Sequence, residues 1–148
     1  MRQQALKLLA RREHSRAELA KKLSPSGCKE EIITVLDHLE QTGLLSDQRM
    51  AAAYLRSHAA RLGAAKLRMN LRAKGIAVEV IDQCLAPDEG GGAMASEEER
   101  ARQLWQRKFG QAPADQREWA RQARFLQSRG FSSDSIRKIL KAAAEDCE

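Results

Sequence analysis

An all-α protein assembled from three tandem three-helix repeats is the fold class this sequence predicts, and three observations carry that expectation. The first is a spacing that occurs three times. It reads Leu23, Gly27, Cys28, Glu31, Ile33, Leu36, then Leu71, Gly75, Ile76, Glu79, Ile81, Cys84, then Leu126, Gly130, Phe131, Asp134, Ile136, Ile139. The three glycines lie 48 and 55 residues apart, the period of a stacked helical unit. The second is composition: Ala, Leu, Arg, Gln, Glu and Lys dominate the 148 residues, with three prolines and 4% aromatics, which favours helix. The third is that no stretch alternates polar and apolar residues as a half-buried strand does. Within each repeat the Gly is expected to close one helix in the left-handed conformation, and the acid after it to favour the positive end of the next.

Start and stop signals divide the chain into about nine helices. The first spans 2 to 13. Ser15 and Glu18 form a capping box that starts the second, 15 to 23, since hydroxyl and carboxylate each satisfy a backbone donor left over at a helix start. Pro25 to Gly27 break it, and 28 to 41 follows with Ile32, Val35, Leu36 and Leu39 on one helical face. Beyond Gly43, Ser46 or Asp47 caps a helix over 46 to 61 that contains Met50, Ala53 and Tyr54. Gly63 separates it from 64 to 74, where Leu67 and Leu71, with Met69 beside them, are assigned to the core, and Gly75 separates that from 78 to 85. Ser96 with Glu99 opens 96 to 109, Gly110 precedes 115 to 129, and Ser132 opens 132 to 144, whose Ile136, Ile139, Leu140 and Ala143 repeat the buried spacing.

These elements group as repeats 1–43, 44–87 and 96–148, joined by a Gly-rich linker over 88–95. Three consecutive glycines, Gly90 to Gly92, remove any preferred conformation, so the third repeat is expected to move relative to the first two. The predicted core is Leu23, Ile33 and Leu36, then Leu71, Ile81 and Cys84, then Leu126, Ile136 and Ile139. Most of the aromatics, Tyr54, Trp105, Phe109, Trp119, Phe125 and Phe131, are assigned to core packing too, which argues against base stacking as the main mode of recognition.

A formal charge of +6 and a pI near 9.5 suit an acidic polymer or an acidic protein surface as partner. The charge is unevenly spread. Seven cations occupy residues 49 to 74, and no Asp or Glu falls between Asp47 and Glu79. Eight more lie between 100 and 129 against Asp115 and Glu118, while Cys28 to Asp47 is acidic. Arg68 and Arg72 stand one helical turn apart on the exposed side, and like charges at that spacing weaken a helix unless a ligand compensates them. Arg56, Arg61, Lys66, Arg68, Arg72 and Lys74, with Arg121, Arg124 and Arg129, are therefore the candidate contacts to phosphate or to an acidic groove. They are expected to line one electropositive face.

Catalysis requires convergent groups, and the sequence offers few. His14, His38 and His58 have no partner at triad or metal-ligand spacing, and GxSxG, HExxH and GxxxxGK[ST] are all missing. No catalytic residue, cofactor or metal is expected. Cys28, Cys84 and Cys147 are widely separated and read as reduced thiols of a cytoplasmic protein. No apolar run suggests a secretory signal or a membrane span.

The quoted residues carry a resemblance as well. Ala5 to Leu19, with its Leu-Ala-Arg-Arg-Glu-His-Ser-Arg-Ala-Glu-Leu ending, resembles the opening of the bacterial RecX regulatory proteins. The likeness continues through Val35 to Leu39, Gly43 to Ala51, Leu71 to Ile76 and Ser128 to Ser132. Met50 stands where that family usually has Phe. The resemblance implies a curved, elongated body of three three-helix units that lies in the groove of the RecA recombinase filament on DNA. It also implies limited filament growth and lowered ATP hydrolysis and strand exchange. A monomer that also touches single- and double-stranded DNA through its basic helices is expected. The alternatives are a stand-alone helix-turn-helix DNA-binding protein, which would normally bring a dimer interface, and a helical scaffold without DNA affinity.

Overall fold

The computed structural model describes residues 1–86 and 95–146. Over these the chain is helical, with α1 at Arg2–Arg11, α2 at Arg16–Leu23, a 3-10 turn at Ser24–Ser26, α3 at Lys29–Gln41, α4 at Asp47–His58 and α5 at Ala64–Ala73. Then come α6 at Val78–Leu85, α7 at Glu97–Lys108, α8 at Gln116–Ser128 and α9 at Ser133–Asp146. No strand occurs among the described residues. The serine caps are where the sequence places them: the hydroxyls of Ser15, Ser46, Ser96 and Ser132 each accept the backbone N–H three residues on, at 3.1 to 3.2 Å. Asp115 is a further cap, accepting from the Glu118 N–H at 2.8 Å. Gly90 to Gly92 lie outside the described residues.

The repeat is regular in its second and third copies and broken in the first. Gly75 and Gly130 both have positive φ, 80° and 89°. The N–H after each glycine reaches back five residues, Ile76 to the Leu71 carbonyl and Phe131 to the Leu126 carbonyl, both at 3.3 Å, which is the Schellman closure of a helix. Gly27 does neither. Its φ is −174° and it follows the 3-10 turn built on Pro25, so the expectation of three equivalent glycine turns fails at the first. Counted from the glycine, the next helix starts one residue sooner there, at Lys29 against Val78 and Ser133, and one residue is about 100° of rotation on a helix. The predicted Ile33 accordingly stands 41% exposed, and its neighbour Ile32, at 7%, occupies the core position held by Ile81 and Ile136 in the other copies. Ile32→Ala is expected to cost about 2 to 4 kcal/mol in urea unfolding and Ile33→Ala less than about 0.5. Equal losses would contradict this register.

Packing divides the chain into two compact units, and the division falls inside α4 and α5. The first contains Met1–Tyr54 and Asn70–Ala86, and the second contains Leu55–Met69 with the described residues from 95 on. The first unit is built around Ala5, Leu19, Leu23, Ile32, Leu36, Leu39 and Leu45. The second is built around Ala101, Trp105, Leu126, Phe131, Ile136, Ile139, Leu140 and Ala143. Leu71 and Ile81 are buried as predicted, Cys84 is half-buried, and Met69, assigned to the core, is 54% exposed because it sits on the opposite side of α5 from Leu67 and Leu71. Cys28 and Cys84 are free thiols.

One buried histidine should make the first unit sensitive to acid. His14 is almost fully buried, with Nδ1 3.0 Å from the Arg12 carbonyl and Nε2 3.3 Å from the Lys22 ammonium. The neutral ring satisfies both, its Nδ1–H donating and its Nε2 accepting. Burial holds the His14 pKa below 6.5, helped by the charges of Arg12 and Lys22 and opposed by the Arg12 carbonyl and Glu18. The unfolded chain thus binds the proton more readily, so this contribution to stability is intact above pH 6.5 and is lost as pH falls through the lower folded value. The urea midpoint should decline on acidification below 6.5, and His14→Gln should flatten that decline. An unaltered profile in the variant would assign the acid sensitivity to other groups.

Candidate nucleic-acid interface

The basic surface with the clearest shape belongs to the second unit. On α8, Arg117, Arg121 and Arg124 follow the i, i+4, i+7 spacing and are exposed, while Gln122 and Leu126 on the other side are buried. Gln122 sets the helix in place. Its Oε1 accepts from the Trp105 indole at 2.7 Å and its Nε2 donates to the Gln111 carbonyl at 3.2 Å, so a buried amide ties α8 both to α7 and to the loop between them. The result is a groove of about 740 Å³ with Lys108, Phe109, Arg117, Glu118, Arg121 and Arg124 among its lining residues.

Aromatic rings hold several of these cations in position. Phe109 and Phe125 meet edge to face, with centroids 5.4 Å apart. The Arg121 guanidinium lies 5.6 Å from the Phe109 centroid and 3.3 Å from the Glu118 carboxylate. Lys108 and Arg129 lie 5.6 and 5.2 Å from the Phe125 centroid. Such contacts stabilise by about 0.5 to 1 kcal/mol each at exposed positions and offset part of the repulsion among like charges. Arg117 and Arg124 make no ion pair or hydrogen bond among the described residues.

The nine residues singled out from sequence fall into both units. Arg72 and Lys74 belong to the first and the other seven to the second. Arg56, Arg61, Arg68, Arg72, Arg121, Arg124 and Arg129 are exposed. Lys66 is half-buried, with its backbone against Gly130. Lys74 is engaged within its unit: its ammonium is 3.5 Å from Glu18 and 5.7 Å from the Tyr54 ring, and its carbonyl accepts from the Ser15 hydroxyl at 2.6 Å. Sequence reasoning missed Lys108 and Arg117. Arg117 was legible from its spacing to Arg121, whereas Lys108 joins the groove only because α7 ends beside α8. Two cations of the same basic stretch are structural: Arg102 pairs with Glu98 and Glu99 at 3.3 and 2.9 Å, and Arg100 is buried. Phe109 and Phe125 also differ from expectation, since they are partly buried flanks of the core rather than its centre, and Trp119 is 40% exposed.

Among the described residues no group of three or more His, Cys, Asp or Glu could hold a metal ion, and no helix is long and apolar enough to cross a membrane. The family model for the first three-helix domain of RecX matches residues 2–39, that for the second matches 46–85, and that for the third matches 96–140. The chain belongs to the RecX family. Regulatory protein RecX of Leptothrix cholodnii is 50% identical over 140 residues, covering 94% of this chain and 86% of that relative. Regulatory protein RecX of Halorhodospira halophila is 42% identical over 151 residues, covering 100% and 91%. The crystal structure of RecX from Lactobacillus salivarius shares the fold, with a TM-score of 0.78 at 21% identity over 97% of this chain and 94% of that one. Membership of RecX makes this a regulatory protein built from tandem three-helix domains.

Proposed function

We propose that this chain is a non-enzymatic, cytoplasmic regulator of homologous recombination and DNA repair. In this reading a monomer binds the RecA filament on DNA and modulates, mostly by inhibition, filament growth, ATP hydrolysis and strand exchange. The observation that carries the nucleic-acid part is the α7–α8 groove, where Arg117 and Arg124 present guanidinium groups that have no ion-pair or hydrogen-bond partner among the described residues. Exposed Arg56, Arg61, Arg68, Arg72, Arg121 and Arg129 extend the supply of cations for phosphates or acidic side chains. Several modest contacts on one chain sum through effective concentration, so no single large interface is required.

RecA-dependent ATP hydrolysis on single-stranded DNA is the deciding measurement. Added protein should lower the rate in a dose-dependent way, and an unchanged rate with a folded, saturating sample would reject the reading. If about four cations neutralise phosphates, affinity for single-stranded DNA alone should fall with salt at a log–log slope of about −3. A slope near zero would remove DNA from the proposed contacts.

A further inference from the structure

The geometry points to the α7–α8 groove as a single-strand subsite that holds successive phosphates on Lys108, Arg117, Arg121 and Arg124 and stacks one base on Phe109. The inference deepens the proposed regulatory reading and rests on it for the choice of nucleic acid as ligand. Along α8, Arg117 and Arg121 are separated by about 6 Å and Arg121 and Arg124 by about 4.5 Å of helix rise, so the three guanidinium groups form a row that can follow a strand. Each can take a phosphate through a bidentate fork. Phe109 is the feature that separates the ligand classes. It lines the groove, is only partly buried, and has the Arg121 guanidinium 5.6 Å from its centroid. A phosphate that draws Arg121 toward itself frees that ring for a base. An acidic peptide would use the cations but brings no nucleobase to the ring. A duplex keeps its bases stacked and out of reach.

The test uses the full chain without RecA and three labelled probes: an oligothymidylate of about eight nucleotides, an abasic strand of equal length, and the corresponding duplex. Polyglutamate serves as competitor. The oligothymidylate should bind about tenfold more tightly than the abasic strand, as stacking of one base provides, and should resist polyglutamate of equal charge concentration. Phe109→Leu should remove the preference for bases and leave the salt slope unchanged, while Phe109→Tyr should keep both. Arg117→Gln combined with Arg124→Gln should reduce the slope by about 1.4 and retain the preference. Equal affinity of the wild-type chain for thymidylate and abasic strands would overturn the proposal, whether or not the Leu variant folds. Displacement by polyglutamate at equal charge would assign the groove to an acidic protein instead. Because RecA is absent from every arm, failure here leaves the regulatory reading intact, and an unchanged ATPase rate leaves this result interpretable.

Discussion

Gly130→Ala is expected to destabilise the second unit by about 3 kcal/mol, far more than the same substitution at Gly43. Both glycines are left-handed, with φ of 89° and 79°, so both substitutions incur the penalty of about 1 to 2 kcal/mol that a side chain meets there. Their surroundings differ. A Cβ at Gly43 would meet nothing within 4 Å, whereas one at Gly130 would overlap the Lys66 Cβ and lie 2.6 Å from the Lys66 backbone nitrogen. Backbone does not rotate out of the way as a side-chain tip does, so α5 must shift, at about 1 to 3 kcal/mol more. The contact is closed from the other side as well. Gly63 donates its N–H to the Arg129 carbonyl at 2.7 Å, and Glu97 accepts from the backbone N–H of both Ala64 and Ser132, at 3.3 and 3.2 Å. Chemical denaturation of the two variants, with hydrogen exchange to locate the loss, makes the comparison. Equal effects at Gly43 and Gly130 would mean that the approach of α5 to the α8–α9 turn contributes nothing.

Arg100→Met should be the most damaging change of a single charged residue, at about 3 to 5 kcal/mol. Arg100 is 5% exposed. One of its guanidinium nitrogens donates to the carbonyls of Ala59 and Leu62, at 2.8 and 2.6 Å, and Nε donates to the Ala95 carbonyl at 3.1 Å. Its charge sits where α4 ends, and the negative end of a helix favours a cation. Burial lowers the Arg100 pKa from its ordinary value, and Glu97 opposes that shift. Met fills similar volume but supplies no donor, so buried carbonyls lose their partners, each at about 1 to 3 kcal/mol. Arg100→Lys restores the charge without the planar fork and should recover only part of the loss. Faster exchange should appear in the second unit and not around Leu19 or Leu36 of the first. A melting transition unmoved in the Met variant would show that water satisfies these carbonyls equally well.

Most helix starts were legible because a cap is a local device: Ser15, Ser46, Ser96 and Ser132 need only the backbone three residues ahead. The repeat was legible for the same reason where a left-handed glycine closes the helix, at Gly75 and Gly130. It misled at Gly27 because Pro25 supports a 3-10 turn in place of that closure, and the earlier start of α3 after the glycine rotates Ile32 inward and Ile33 outward. The surroundings of the individual cations were only partly legible. Arg121 and Arg124 could be named from charge density, but Lys74 has the same charge and is held by Glu18 and Tyr54 in its own unit.

The sequence by itself determined the helical class, the tandem repeat and which segments carry excess cations, since propensity, capping and periodicity act within a few residues of one another. Only the tertiary structure decided what each cation does. Arg100 finds its carbonyls 41 and 38 residues away, whereas Arg117 and Arg124 line the groove with no ion-pair or hydrogen-bond partner among the described residues. The physical reason is that a charged side chain takes its role from the dielectric and the acceptors around it, and those are supplied by whichever helices the packing brings alongside.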